Sequence, residues 1–117
     1  MKFREVGDST IAEVVAENVV INNVEEGVDL IGNAYYQGFD KVILYKKNVS
    51  SDFFDLKTGM AGEILQKFSN YRIRLVIVGD FSVYTSKSLH DFIRESNQGK
   101  LVNFLSSKEE AMGRLSM

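Results

Sequence analysis

Two hydrophobic rhythms alternate along the chain, one of period two and one of helical period. KFREV (2–6) and TIAEVVAE (10–17) are short β-type runs separated by the turn signal Gly7-Asp8-Ser9, and together they predict a β-hairpin. Val24, Val28, Ile31 and Tyr35 then recur at helical spacing before Gly38, a natural stop. Asn22 with Glu25, or Asn23 with Glu26, has the spacing of an N-cap and its reciprocating carboxylate. Tyr35 and Tyr36 are expected to flank the core, one inward and one outward. KVILYK (41–46) is a β-branched strand, and Met60, Ile64, Leu65 and Phe68 mark one face of a following helix. In RIRLVIVGD (72–80) the unbroken Leu75 to Val78 core predicts a strand buried on both faces. Leu89, Phe92 and Ile93 form the inner stripe of a helix closed by Gly99, and LVNFL (101–105) is a final strand. Ser106 or Ser107, three residues before Glu109 or Glu110, caps a last helix carrying Ala111, Met112 and Leu115.

Strands separated by helices of this length pair in parallel through right-handed crossovers. The pattern therefore predicts an α/β fold: a mixed, mostly parallel sheet with an N-terminal hairpin and four helices. At 117 residues the chain is expected to form one domain, spanning 1–117.

Composition narrows the function classes. A formal net charge of -2 supplies no basic field, so no nucleic-acid partner is expected. The chain has no cysteine, which removes disulfides, thiolate metal sites and cysteine nucleophiles. His90 is the single histidine, so a histidine-rich metal site is removed too. It lies beside an apolar stripe, reads as a surface residue, and has no serine elbow with which to build a triad. No apolar run is long enough to span a bilayer, and no leader is evident, so the expected location is cytoplasmic, without membrane attachment.

Candidate chemistry falls on two loops that follow strands, because ligands of open parallel sheets bind at the strand carboxyl ends. The first, KNVSSDFFDLKTG, carries Ser50, Ser51, Asp52, Asp55 and Thr58; the second, GDFSVYTSKS, carries Asp80, Ser82, Tyr84, Thr85 and Ser86. A helix beginning near Thr58 would aim free N–H groups and a positive dipole end at this rim. Such an end tolerates a phosphate, on a ligand or on the threonine itself. The first reading of Thr58 remains an N-cap or first-turn residue. Gly59 and Gly62, flanking Ala61, read first as small residues that let the helix approach a neighbour closely. The order GxxxxGK[ST] of a phosphate-binding loop is absent. Asp52, Asp55, Asp80 and Glu63 have the oxygens that Mg²⁺ prefers, yet caps and turns account for them equally, so no metal and no cofactor is assigned.

The run from Phe53 to Gly99, FFDLKTGMAGEILQKFSNYRIRLVIVGDFSVYTSKSLHDFIRESNQG, closely resembles an uncharacterised bacterial family, domain of unknown function 4180. The resemblance covers nearly the whole chain and names no activity. The layout also resembles the STAS domain of bacterial anti-sigma-factor antagonists. There a strand, a D-S-[ST]-G-type turn opening a helix, an LVLVG-like strand and a closing SLEEAL-like helix follow in order; here the matching pieces are KVILYK, LKTGMAG, LVIVGD and SSKEEAM. This second resemblance implies a STAS-like sheet and puts the phosphorylatable hydroxyl on Thr58. Leu56 stands where that family has its aspartate, the nearest acid is Asp55, and threonine replaces serine.

Two functional readings follow. The first is a non-enzymatic regulatory or protein-interaction module, its rim formed by Ser51, Asp52, Asp55, Gly59, Gly62, Asp80 and Tyr84 around Thr58, with a protein partner or a second copy of the chain docking there. The second is a small-ligand protein, or an enzyme, using Asp55, Thr58 and Asp80 to hold an anion or nucleotide. No catalytic residues are assigned, since no nucleophile has a base beside it.

Overall fold

The computed structural model describes residues 1–116. A hairpin of β1 (Lys2–Val6) and β2 (Asp8–Val15) is followed by α1 (Val24–Tyr36), β3 (Lys41–Tyr45), α2 (Met60–Asn70), β4 (Arg74–Val78), α3 (Lys87–Gln98), β5 (Val102–Leu105) and α4 (Lys108–Leu115). The five strands lie in the order β1-β2-β3-β4-β5. Only β1 is antiparallel to its neighbour; β2 to β5 run parallel. The mixed, mostly parallel sheet with an N-terminal hairpin and four helices is thus the fold that the hydrophobic rhythm predicts.

Each parallel crossover joins adjacent strands, so a constant right hand puts all three crossover helices on one face. That face holds the main core. Val42, Leu44, Leu75 and Ile77 from the central strands meet Leu30 and Ile31 of α1, Ile64 and Phe68 of α2, and Leu89 of α3. Ile43, Val76 and Val78 point to the opposite face, where Ala111 and Leu115 of α4 cover them. The apolar run of β4 is therefore buried on both sides, as its lack of alternation requires.

Helix starts follow their caps. Asn23 accepts from the Glu26 N–H at 2.8 Å, and the Glu26 carboxylate reaches back to the Asn22 backbone N–H at 2.8 Å. Ser86 and Ser107 cap α3 and α4 by accepting from Leu89 and Glu110 N–H groups.

One expectation about α1 fails. Tyr35 and Tyr36 are both exposed, because the buried stripe of the helix is Gly27, Leu30, Ile31 and Ala34. Gly27 sets that rotation: a Cβ there would sit 3.0 Å from the Ile64 side chain, so the backbone of α1 lies directly against α2. Tyr35 is turned outward onto Tyr71, ring edge to face at 5.3 Å.

A second ordering device lies beside the sheet. Asn48 is fully buried and donates from Nδ2 to the carbonyls of Ala16 at 3.0 Å and Asn18 at 2.8 Å. Its backbone carbonyl accepts from the Val20 and Ile21 N–H groups. The segment after β2 and the segment after β3 are thereby tied together where they leave the sheet.

Candidate functional site

β3 and β4 are parallel neighbours in register from Lys41↔Arg74 to Tyr45↔Val78, so their following loops emerge at one rim. The first loop winds through three 3-10 turns, Lys46–Asn48, Ser51–Phe54 and Leu56–Thr58. Short polar side chains hold these turns in place of a continuous helix. Ser50 Oγ accepts from Asp52 N–H at 3.2 Å, and Asp55 Oδ1 accepts from Lys57 N–H at 3.2 Å. In the second loop, Asp80 Oδ1 accepts from the backbone N–H and the hydroxyl of Ser82, at 3.0 and 2.6 Å. Those two bonds hold the Asp80 carboxyl below the usual carboxylate range.

Lys46 crosses between the loops. Its side chain passes over Gly79, where a Cβ would come within 2.5 Å of Lys46 Cβ, so the crossing requires glycine. Lys46 Nζ then donates to the Asp80 carbonyl at 3.0 Å and sits 4.8 Å from the centre of the Tyr84 ring. Tyr84 stacks on Phe54 at 5.2 Å, and partial burial pushes its phenol up. Phe81 bridges Phe54 and Phe104, carrying the aromatic contacts into the core. Val83 beside them is 62% exposed.

Between these loops runs an open groove of about 400 Å³, lined by Ser51, Phe54, Asp55, Leu56, Lys57, Tyr84, Thr85, Ser86 and Leu89. Ser51, Asp55 and Tyr84 of the expected rim are brought together there. Asp52, Thr58, Gly59, Gly62 and Asp80 lie outside the groove lining. A helix does begin near Thr58, as the sequence suggests, since α2 starts at Met60; the helix start that lines the groove is that of α3, capped by Ser86.

Thr58 has a defined structural task. Its hydroxyl lies 2.8 Å from the Asp52 carbonyl and 2.9 Å from the Asp55 carbonyl, and it accepts from Met60 N–H at 3.2 Å. One exposed side chain therefore pins both preceding turns to the first residue of α2. Gly59 follows at φ +76°, the left-handed region that other residues enter at a cost. The expectation of close packing at Gly59 and Gly62 is overturned: a Cβ at either would meet no atom within 4 Å. Gly59 serves the turn, Gly62 faces open space, and the close approach belongs to Gly27 on the partner helix.

A second cluster, on the α4 face of the sheet, escapes sequence reasoning. Glu13 of β2 is 6% exposed, yet charged groups surround it. Tyr45 Oη donates to it at 2.6 Å, Lys108 Nζ donates at 3.2 Å, and Arg4 lies 3.8 Å away. Burial pushes the Glu13 carboxyl up, but the bonds from Tyr45 and Lys108 and the charges of Lys108 and Arg4 outweigh it and hold the group below its ordinary value. Burial and the Glu13 carboxylate push the Tyr45 phenol up to about 12. In sequence Glu13 is one residue of the β-type run TIAEVVAE, and nothing in the linear order joins it to Lys108.

Among the described residues no group of three or more His, Asp or Glu side chains is arranged to hold a metal ion. No helix of the described residues is long and apolar enough to cross a membrane. Comparison with curated proteins and with solved structures finds no match. The profile of one family, described as domain of unknown function (DUF4180), matches residues 6–115, and the chain belongs to that family.

Proposed function

We propose that the chain is a regulatory, non-enzymatic protein-interaction module of STAS-like type, working in the cytoplasm as a single folded unit, with its partner docking on the rim formed by the loops after β3 and β4. The observation that carries this reading is the Thr58 hydroxyl, which is exposed yet bonded to Asp52, Asp55 and Met60. A docking surface whose shape hangs on one accessible hydroxyl is suited to regulation. A phosphate on that oxygen would remove the proton it shares with two carbonyls and add about two negative charges beside Asp52 and Asp55. Repulsion and lost bonds would then release residues 51–58 and reshape the groove. Exposed Val83, next to Tyr84 in the second loop, supplies an apolar contact that a partner would cover.

The test uses Thr58→Ala and Thr58→Glu, with hydrogen exchange of the amides from Ser51 to Thr58 and with retention of binding proteins from the native cells. Both variants should speed exchange in this segment. Thr58→Glu should in addition change the retained set relative to Thr58→Ala. Identical retention by wild type and both variants would remove the switch.

A second reading, anion or nucleotide binding in the same groove, is favoured by Lys57, Thr85 and the Ser86-capped start of α3, which line it together. A thermal-shift series with nucleotides, inorganic phosphate and divalent cations separates the two. A ligand at a hundred times its dissociation constant stabilises by about 2.7 kcal/mol, so a flat series would exclude this reading.

A further inference from the structure

We propose that the uncovered part of the second sheet face receives an extended acidic segment of a partner protein, which adds as a strand to the free edge of β1. α4 has eight residues and packs on β3, β4 and β5. Its apolar cluster reaches Val6 and Ile11 at the turn end of the hairpin, while the other end, around Lys2, Arg4 and Val15, borders an open depression. Among the described residues β1 pairs with β2 alone, so its outer row of backbone N–H and C=O groups has no strand partner there. Such an edge is a template for strand addition.

The side chains set the chemistry of the added strand. β1 pairs Lys2 with Val15 and Arg4 with Glu13, so Lys2 and Arg4 stand on the same face as the Glu13–Tyr45–Lys108 cluster. They border a depression of about 540 Å³ whose floor includes Val15 and Tyr45, and whose far wall carries Lys47 and Glu17. Three cations thus meet two carboxylates, Glu13 and Glu17, and Glu13 is already answered by Tyr45 and by Lys108 from outside the depression. Lys2 and Lys47 have no carboxylate partner among the described residues. Lysine on an edge strand is also a common guard against aggregation. That explanation covers Lys2 and leaves Lys47, which comes from beyond β3 to the same depression. The excess positive charge also runs against a chain of net charge -2.

A strand laid beside β1 places alternate side chains about 5 Å from Lys2 and Arg4. Carboxylates at every second position of the partner would meet those cations, and the intervening backbone would pair with β1. The ligand class is therefore an extended peptide with alternating acidic residues, and not a lone anion, which leaves the edge unpaired.

The experiment uses the full chain and a short, dye-labelled alternating Val-Glu peptide, with the alternating Val-Lys peptide and inorganic phosphate as comparisons. The Val-Glu peptide should bind, weaken with added salt, and protect from exchange the β1 amides that face away from β2. The Val-Lys peptide should bind at least about tenfold more weakly. Lys2→Glu, at an exposed site on the edge strand that leaves thermal unfolding unchanged, should weaken the Val-Glu peptide by about tenfold, and Arg4→Glu should do the same. Lys47→Glu, about three strand spacings from the added strand, should weaken it less. Equal binding of the two peptides, or peptide binding without β1 protection, overturns the proposal. So does phosphate binding that depends on Arg4 and Lys47 when the peptide does not bind.

Discussion

The two faces of the sheet are built on different physics. Beneath α1, α2 and α3 the strands meet a continuous apolar layer, with Phe68, Ile31 and Val42 all fully buried. Beneath α4 an apolar patch of six buried residues gives way within one strand to Glu13, Tyr45, Lys108 and Arg4. Apolar burial stabilises without direction, whereas a buried carboxylate stabilises only when its partners are in place. The first face therefore carries most of the stability, and the second sets where α4 sits and leaves charged surface available for recognition.

The largest effect belongs to the first face. Phe68→Ala should cost about 3–5 kcal/mol in denaturant unfolding, and a loss below that of any single change on the α4 face would break the comparison. Next comes Glu13→Ala, which strands the Tyr45 hydroxyl and Lys108 and should cost about 1–3 kcal/mol.

The same cluster gives the second face a pH signature that the first lacks. Glu13 is held low, so its contribution is present above the ordinary carboxylate range and is lost as pH falls through its lowered value. Tyr45 is pushed up to about 12 from 10.0, so the unfolded chain ionises first, and stability falls as pH rises across that window. Tyr45→Phe should flatten the alkaline limb of the unfolding profile, and an unchanged limb would detach Tyr45 from the cluster. Smaller still is Gly59→Ala, expected to cost about 1–2 kcal/mol for an L-residue held at positive φ. Last, Gly62→Ala should gain about 0.5–1 kcal/mol, since it faces open space in a helix. A loss in place of that gain would show that something covers Gly62 in the protein as purified.

Much of the fold was legible because strand and helix periods differ and because the caps stand where a helix must start. Asn23 with Glu26 and Ser107 with Glu110 are visible in the bare sequence. The rotation of α1 was not, since an apolar tyrosine competes with a glycine for the inner stripe, and only the contact of Gly27 with Ile64 decides it. The rim was legible in part: strand adjacency brings Ser51, Asp55 and Tyr84 into one groove. The binding of the Thr58 hydroxyl to two carbonyls depends on how the 3-10 turns fold back, which no spacing rule encodes. Glu13 was opaque for another reason. Its partners lie on a different strand and on the last helix, and charges in a linear list carry no pairing.

The strand order has a kinetic side. Because each new strand is laid beside the one before it, the sheet can grow outward from the hairpin while closing only modest loops. The bond from Lys108 to Glu13 joins positions 95 residues apart, across β2, β3 and α4. It can form only when the last helix settles, after the strands have assembled. Such a late contact acts on the way out of the native state: without it the protein opens faster, while its rate of folding stays the same. Lys108 is a latch, fastened last and released first.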